Sequence, residues 1–311
     1  MKLLVTGGAG FIGSHLVERL LIDGSGVRVL DNLSTGKRSN LPAHGAIEFM
    51  EGDIRDQQTV DAAVAGVDAI VHLAAVASVQ ASVDDPVGTH AANFDGTLNL
   101  LEAARRTGVT RFLYASSAAV YGDNARLPVT EDLALNPLTP YAADKLAGEY
   151  YLGFYHRKFG LRTTAFRFFN IYGPRQDPSS PYSGVISIFV DRLRTSAPVT
   201  IFGDGRQTRD FVFVGDLAEL LARAIEVPAT VGKVMNVGRG VECSLLELLA
   251  TLERLCGRRL ECRHEAARVG DILRSCADTA RLTAVLGSAP GTSMEAGLAE
   301  LLRYSGIARA A

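Results

Sequence analysis

The chain has 311 residues, enough for one large or two modest domains with a substantial hydrophobic core. Apolar residues make up 47% and charged residues 21%, and a formal net charge of -2 gives no reason to expect nucleic acid or an anionic membrane as a partner. Neither a basic leader nor a bilayer-spanning stretch is expected from the residues. Cys243, Cys256, Cys262 and Cys276 are widely spaced and apart from the histidines, so a cytoplasmic protein with free thiols and no metal site is expected.

Residues 2–5 read as a strand, followed by a glycine-rich turn and a helix over 11–21, where Ile12, Leu16, Val17, Leu20 and Leu21 recur at helical spacing. A second strand spans 27–31, a polar loop 32–40 and a third strand 46–50, closed by Gly52-Asp53-Ile54. A short helix over 57–65 and a fourth strand over 69–73 follow. Then come a loop over 74–86, a long amphipathic helix over 87–107, a strand over 111–115, a second long helix over 141–159 and a strand over 162–168. Strands alternating with helices through short connections predict an α/β protein built on a doubly wound parallel sheet. Beyond Asn170 the character changes. Residues 173–184 are rich in Pro, Ser and Gly, and helices are expected over 185–195, 216–226, 245–256 and 294–304, with strands over 201–205, 211–214 and 234–237. The expected division is a nucleotide-binding domain over 1–169, to which 211–237 return, and a smaller C-terminal α/β lobe over 170–311. That lobe would cover the sheet edge where open α/β sheets bind ligands.

The glycine turn, Thr6-Gly7-Gly8-Ala9-Gly10-Phe11-Ile12-Gly13, has the strand–turn–helix layout that brings backbone amides and a helix N-terminus against a pyrophosphate. Gly7 can take the tight turn, Gly10 lets the diphosphate approach, and Gly13 lets the helix pack closely. Such turns also serve simple chain reversal. Asp31, ending the second strand, strengthens the nucleotide reading: a carboxylate there accepts from ribose hydroxyls and repels a 2′-phosphate, which favours NAD over NADP.

Pro140 suits a helix start and puts Tyr141 and Lys145 on one face, one turn apart. An ammonium beside the phenol is expected to favour the phenolate and so make Tyr141 a general base. Alone, the pair is an ordinary Tyr–Lys pair on a solvated helix. Ser116 and Ser117 end a buried strand, where a hydroxyl could bond the substrate oxygen that the tyrosine deprotonates, or simply satisfy turn amides. Glycine turn, serine and Tyr-x-x-x-Lys together form a constellation that chance explains poorly.

On these residues the chain resembles the extended short-chain dehydrogenase/reductases, specifically the NAD-dependent nucleotide-sugar epimerase/dehydratase family. The likeness runs from Lys2 to about Asp278. It also rests on Asp31-Asn32-Leu33, Gly52-Asp53-Ile54, His72-Leu73-Ala74-Ala75, Asn93-Phe94-Asp95-Gly96-Thr97, Arg167-Phe168-Phe169-Asn170, the segment 203–211 and Arg268-Val269-Gly270-Asp271. The resemblance implies a Rossmann sheet and a cofactor set of Gly7, Gly10, Phe11, Ile12, Gly13, Asp31, Asn32, Thr35 and Gly36, with Asp53 and Ile54 at the adenine. Leu73, Ala74 and Ala75 would line the cofactor, Asn93 would lie alongside it, and Tyr141 and Lys145 would stand at its reactive end. It implies catalysis by Ser117, Tyr141 and Lys145. The implied substrate set is Ser78, Ser117, Tyr141, Asn170, Val185, Phe202, Arg209, Arg268, Asp271 and Ser275. Outside the resemblance, Arg209 beside Asp210 reads as a surface ion pair.

Dehydratases of the family carry an Asp-Glu acid/base pair after their hydroxyl residue, and decarboxylases a glutamate. Here Ala118 and Ala119 stand there and cannot transfer protons. Epimerisation at C4 of a UDP-hexose remains, with Tyr141 taking the hydroxyl proton while hydride passes to NAD and returns to the other face of a 4-keto sugar. Relatives restricted to glucose and galactose tend to have a tyrosine where this chain has Ser275, so an N-acetyl group fits, and Ser78 could bond it or cap a turn. Phe168 and Phe211 replace tyrosines common in these epimerases, which bears on fine substrate contacts and leaves the reaction in place. The two long helices are expected to pair across a two-fold axis in a homodimer, as in the family. The alternatives are another nucleotide-sugar epimerase or oxidoreductase, or a non-catalytic NAD-binding regulator.

Overall fold

The computed structural model describes residues 1–123, 126–178, 184–267 and 272–307. The N-terminal half alternates strands with helices: β1 (Lys2–Thr6), α1 (Phe11–Ile22), β2 (Gly26–Asp31), β3 (Ile47–Glu51), α2 (Gln57–Val64) and β4 (Ala69–His72). Next come α3 (Val79–Asp84), α4 (Pro86–His90), a π-helical turn (Ala91–Asp95), α5 (Gly96–Thr107), β5 (Arg111–Ser117), α6 (Pro140–Phe159) and β6 (Arg162–Phe168). The second half contains β7 (Asn170–Tyr172), α7 (Val185–Thr195), β8 (Val199–Phe202), β9 (Thr208–Phe213), α8 (Val214–Glu226), β10 (Lys233–Val237) and β11 (Glu242–Ser244). It ends with α9 (Leu245–Cys256), β12 (Cys262–Glu265), α10 (Ala280–Leu286) and α11 (Met294–Tyr304).

Seven strands form one parallel sheet in the order β10-β6-β5-β4-β1-β2-β3. Alternation within each strand divides the core. Leu3, Val5, Val27, Val29, Val71, Leu113 and Phe166 face α1, α8 and α10, whereas Leu4, Leu30, Ile70, Phe112 and Tyr114 face α2, α5 and α6. The chain winds outward in both directions from β1 and β4, which leaves a crevice beyond their C-terminal ends, the place where such sheets bind ligands. The smaller lobe has its own core of α7, α9 and α11 around β9 and β8, including Phe189, Ile201, Phe211, Leu248, Leu252 and Leu298. Two small sheets, β11-β9-β7 and β12-β8, frame it. A capping box starts α9: the Ser244 hydroxyl accepts from the Glu247 N–H, and the Glu247 carboxylate accepts from the Ser244 N–H.

Several local expectations are corrected. The segment 74–86 holds the short α3, because Ser78 and Asp85 cap successive turns. The helix expected over 87–107 starts at Pro86 and is interrupted by the π-helical turn that contains Asn93. Strand β9 pairs in the small sheet, but its Val212 packs into the core of the large sheet, whose layer is completed by α8 and β10.

Candidate active site

The glycine turn closes onto the loop that follows β4. Gly7 has φ +68°, and a Cβ on it would stand 2.8 Å from the Ala74 nitrogen, so the two loops meet at the crevice. A Cβ on Gly13 would be 2.1 Å from the Gly7 carbonyl oxygen, which makes glycine a packing requirement there. At Gly10 the nearest atom, the same carbonyl, would be 3.2 Å away, and among the described residues no side chain caps the N-terminus of α1. An uncapped helix start behind a glycine turn is a place for an anion.

Asp31 is buried at the end of β2, where one carboxylate oxygen accepts the Ala9 N–H at 2.9 Å and the other the Leu33 N–H at 2.8 Å. These bonds aim the carboxylate and leave lone pairs for ribose hydroxyls. Gly36 packs against it, since a Cβ there would approach both oxygens within 3.0 Å. Asn32 donates to Asp53 at 2.9 Å, and Arg55 grips the same carboxylate, which holds Asp53 down at about 2. Ile54 is buried under Gly96. Leu73 and Ala74 hang from the Thr6 hydroxyl through their N–H groups, at 3.2 and 3.3 Å. The Asn93 amide is spent on both backbone groups of Val76, so Asn93 shapes the loop after Ala75. An open helix start, an aimed carboxylate and a wall of small residues fit a dinucleotide.

The catalytic candidates meet at the end of β5. Thr139 caps α6 with Pro140 in its first turn, and this orients the Tyr141 phenol, which hydrogen-bonds Ser117. Ser117 in turn accepts the Ala119 N–H at 3.1 Å. Lys145 donates to the Ala115 carbonyl at 2.8 Å and lies 5.9 Å from the Tyr141 ring centroid. The expected acidification of the phenol by this lysine is not present in the protein alone. Burial pushes the Tyr141 phenol up, partly opposed by Ser117, and burial pulls Lys145 down to about 8. Desolvation outweighs the single weakened cation. Behind them, buried His72 joins Thr6 at 2.8 Å to Thr97 at 2.9 Å and is driven down to about 3, first by burial and then by Lys145, so it is neutral.

A buried network that the motif reading passed over supports this end of the sheet. Glu149 continues the Tyr141–Lys145 face by one more turn. It accepts from Ser116 at 2.5 Å and from Arg167 Nε and Nη2 at 2.9 and 2.7 Å. Arg167 also donates to the Tyr121 hydroxyl, which donates to Asn236 on β10. The four-residue spacing 141, 145, 149 was the available signal.

The substrate candidates line the second lobe's side. Asn170 opens β7 and donates to the Asp210 carbonyl at 3.4 Å; Val185 starts α7; Phe202 ends β8. Arg209 does not form the simple surface pair with Asp210 that local sequence suggests. Its Nη1 donates to the Thr208 and Ile272 carbonyls, whereas Asp210 is fully buried and accepts the N–H groups of Arg239, Gly240 and Ala277 at 2.8–3.0 Å. Ser275 is half-buried, in a segment pinned to β9 through Ile272 and Leu273. Ser78 caps α3 through the Ala81 N–H at 3.0 Å. Arg268 and Asp271 lie outside the described residues.

Residues 3–238 match the model of the NAD dependent epimerase/dehydratase family. A curated relative named UDP-glucose 4-epimerase, from Mycolicibacterium smegmatis, is 43% identical over 98% of each chain. The solved UDP-N-acetylglucosamine 4-epimerase of Methanobrevibacter ruminantium, in complex with UDP-N-acetylmuramic acid, is 35% identical with a TM-score of 0.93 over 97% of each chain. The Thermus thermophilus UDP-glucose 4-epimerase in complex with NAD is 39% identical with a TM-score of 0.91, over 98% of this chain and 99% of that one. The chain belongs to the NAD-dependent epimerase/dehydratase family. It is an NAD-dependent enzyme with the Rossmann architecture of that family.

Proposed function

We propose that the protein is a UDP-hexose 4-epimerase that interconverts UDP-N-acetylglucosamine and UDP-N-acetylgalactosamine, with UDP-glucose and UDP-galactose as further substrates. The observation that carries the reaction is the Ser117–Tyr141–Lys145 cluster followed by Ala118 and Ala119. Tyr141 takes the C4 hydroxyl proton, and Ser117, already bonded to the phenol, holds the same oxygen. Lys145, fixed on the Ala115 carbonyl, keeps a positive charge below the ring. NAD, when bound, would supply the hydride acceptor and donor for C4. Ala118 and Ala119 offer no proton to a leaving hydroxyl, so the sugar keeps all its oxygens. The nucleotide half is expected to be anchored by Asn170, Arg209, Arg268 and Asp271 while the hexose turns over. The small Ser275 and the Methanobrevibacter relative support the acetamido sugar; the Mycolicibacterium relative supports the plain hexose.

The protein is further read as a cytoplasmic homodimer. Val83, Val87, Tyr150, Tyr151 and Phe154 are exposed on α3, α4 and α6, an apolar surface that a two-fold helix pairing would cover. Light scattering showing a monomer at micromolar concentration would remove the dimer. Incubation with each UDP-sugar in turn, without added NAD, and resolution of C4 epimers by proton NMR tests the reaction. Conversion of the acetamido sugar, lost in Tyr141→Phe, is the expected result. Conversion of UDP-glucose alone keeps the chemistry and refutes the Ser275 argument, and turnover of neither refutes the substrate assignment.

A further inference from the structure

We propose that Arg175 is a latch that retains NAD: reaching from the smaller lobe, it grips both elements that border the cofactor cradle. The first is α1, the helix behind the glycine turn. Arg175 donates to the Glu18 carboxylate through Nη1 at 2.9 Å and Nη2 at 2.6 Å, a two-pronged ion pair, and its Nη2 lies 2.9 Å from His15 Nδ1. His15 Nε2 is 3.0 Å from the Pro174 carbonyl. Arg175 Nε also lies 3.3 Å from His15 Nε2; with the hydrogen on Nε2, His15 donates to Pro174 and accepts from Arg175 at Nδ1, the shorter of the two guanidinium contacts. The second element is the loop after β2. Arg175 Nη1 donates to the Asn40 carbonyl at 2.9 Å.

That loop is tied to the cradle itself. The Lys37 N–H and the Asn40 amide both donate to the Ala9 carbonyl, at 3.0 and 2.9 Å, and the Ala9 N–H donates to Asp31. Glycine turn, ribose carboxylate and loop therefore move as one unit, and Arg175 fastens that unit to the opposite lobe. Arg175 does so from a left-handed backbone with φ +68°, a conformation that a long side chain adopts only where its surroundings compel it. A second link, Lys37 to Asp177 at 3.8 Å, runs parallel to it. The Arg175 side chain is 11% exposed, and the floor it forms opens into a surface hollow of about 640 Å³ bordered by α11. The latch can thus be cut from the solvent side without touching the hydrophobic core. A cofactor that is regenerated within one turnover gains from such a latch, since escape between turnovers would halt the enzyme.

The test is NAD retention, read on acid extracts of the protein after gel filtration with no sugar present, so it is independent of which nucleotide sugar is the substrate. The wild-type protein is expected to keep its NAD. Arg175→Ala is expected to release it faster by about tenfold or more, the ratio for losing one charge-assisted bidentate contact. Added NAD should restore the rate of Arg175→Ala, and circular dichroism of its NAD-stripped form should show the wild-type fold. Arg175→Lys, which keeps the charge and loses the fork, should fall between. Equal retention by Arg175→Ala and wild type would overturn the proposal, as would loss of NAD from both or activity that added NAD fails to restore. If circular dichroism finds Arg175→Ala unfolded, Glu18→Gln decides. Faster NAD release supports the latch, and unchanged release refutes it.

Discussion

Glu149→Gln cuts the buried network behind the end of β5 at its centre, and the structure sets the size of the effect. Both partners of the Glu149–Arg167 pair are 4% exposed, and the carboxylate accepts two guanidinium bonds and the Ser116 hydroxyl. Glutamine keeps the shape, but it turns one acceptor into a donor facing Arg167 and leaves a buried cation without its counter-charge. Removing one partner of such a pair costs about 3–5 kcal/mol. Arg167 retains the Tyr121 hydroxyl at 2.8 Å and the Glu131 carbonyl at 3.3 Å, so the lower end, about 3 kcal/mol, is expected. The assay is urea unfolding of the NAD-stripped protein followed by circular dichroism at neutral pH. The double variant Glu149→Leu with Arg167→Met removes both charges and should be less damaged than Glu149→Gln alone. A loss below about 1 kcal/mol for Glu149→Gln, or a double variant worse than the single one, would refute the argument.

Tyr141→Phe should lower kcat by about 10²–10⁴-fold while leaving bound NAD unchanged, as measured by NMR turnover and acid extraction. Gly10→Ala and Gly13→Ala should separate: both bind NAD more weakly, but the Gly13 variant, whose Cβ would lie 2.1 Å from a carbonyl oxygen against 3.2 Å at Gly10, melts lower than the Gly10 variant. Lys145 gives a pH signature. Its folded value of about 8 lies below its ordinary 10.5, so the charged form opposes folding fully below pH 8, and that penalty fades as pH rises through 10.5. The NAD-stripped Lys145→Met protein should therefore be more stable than wild type by roughly 3 kcal/mol at pH 7, with a smaller margin at pH 9.5. A margin independent of pH would refute that assignment.

The large sheet and the meeting of Ser117, Tyr141 and Lys145 were legible because their signals are local. Helical spacing in α1, the glycines at 7, 10 and 13, and the four-residue step from Tyr141 to Lys145 all lie within one or two turns of chain. What stayed hidden depends on partners distant in sequence. Glu149 meets Arg167 only because α6 lies across β5 and β6, and Asp210 is buried only because Arg239, Gly240 and Ala277 converge on it. Arg175 was visible only as part of a motif, since its partners lie on α1 and the loop after β2. Electrostatics were misjudged for a related reason. Proximity of Lys145 to Tyr141 follows from spacing, but the burial that raises the phenol and weakens the ammonium follows from the whole packed lobe.

The placement of β10 bears on how the chain is made. Strand β6 emerges from the ribosome early, but the neighbour that covers its outer edge, β10, is translated only after α7, β8, β9 and α8. Until then the nascent sheet ends in an open row of hydrogen-bonding groups, and Phe166 lacks the apolar cover of Leu217 and Leu221 on α8. A chain that stops at residue 169 would leave that edge of β6 unpaired, a template for pairing with other chains. A stop codon placed between the two strands should yield an aggregating fragment.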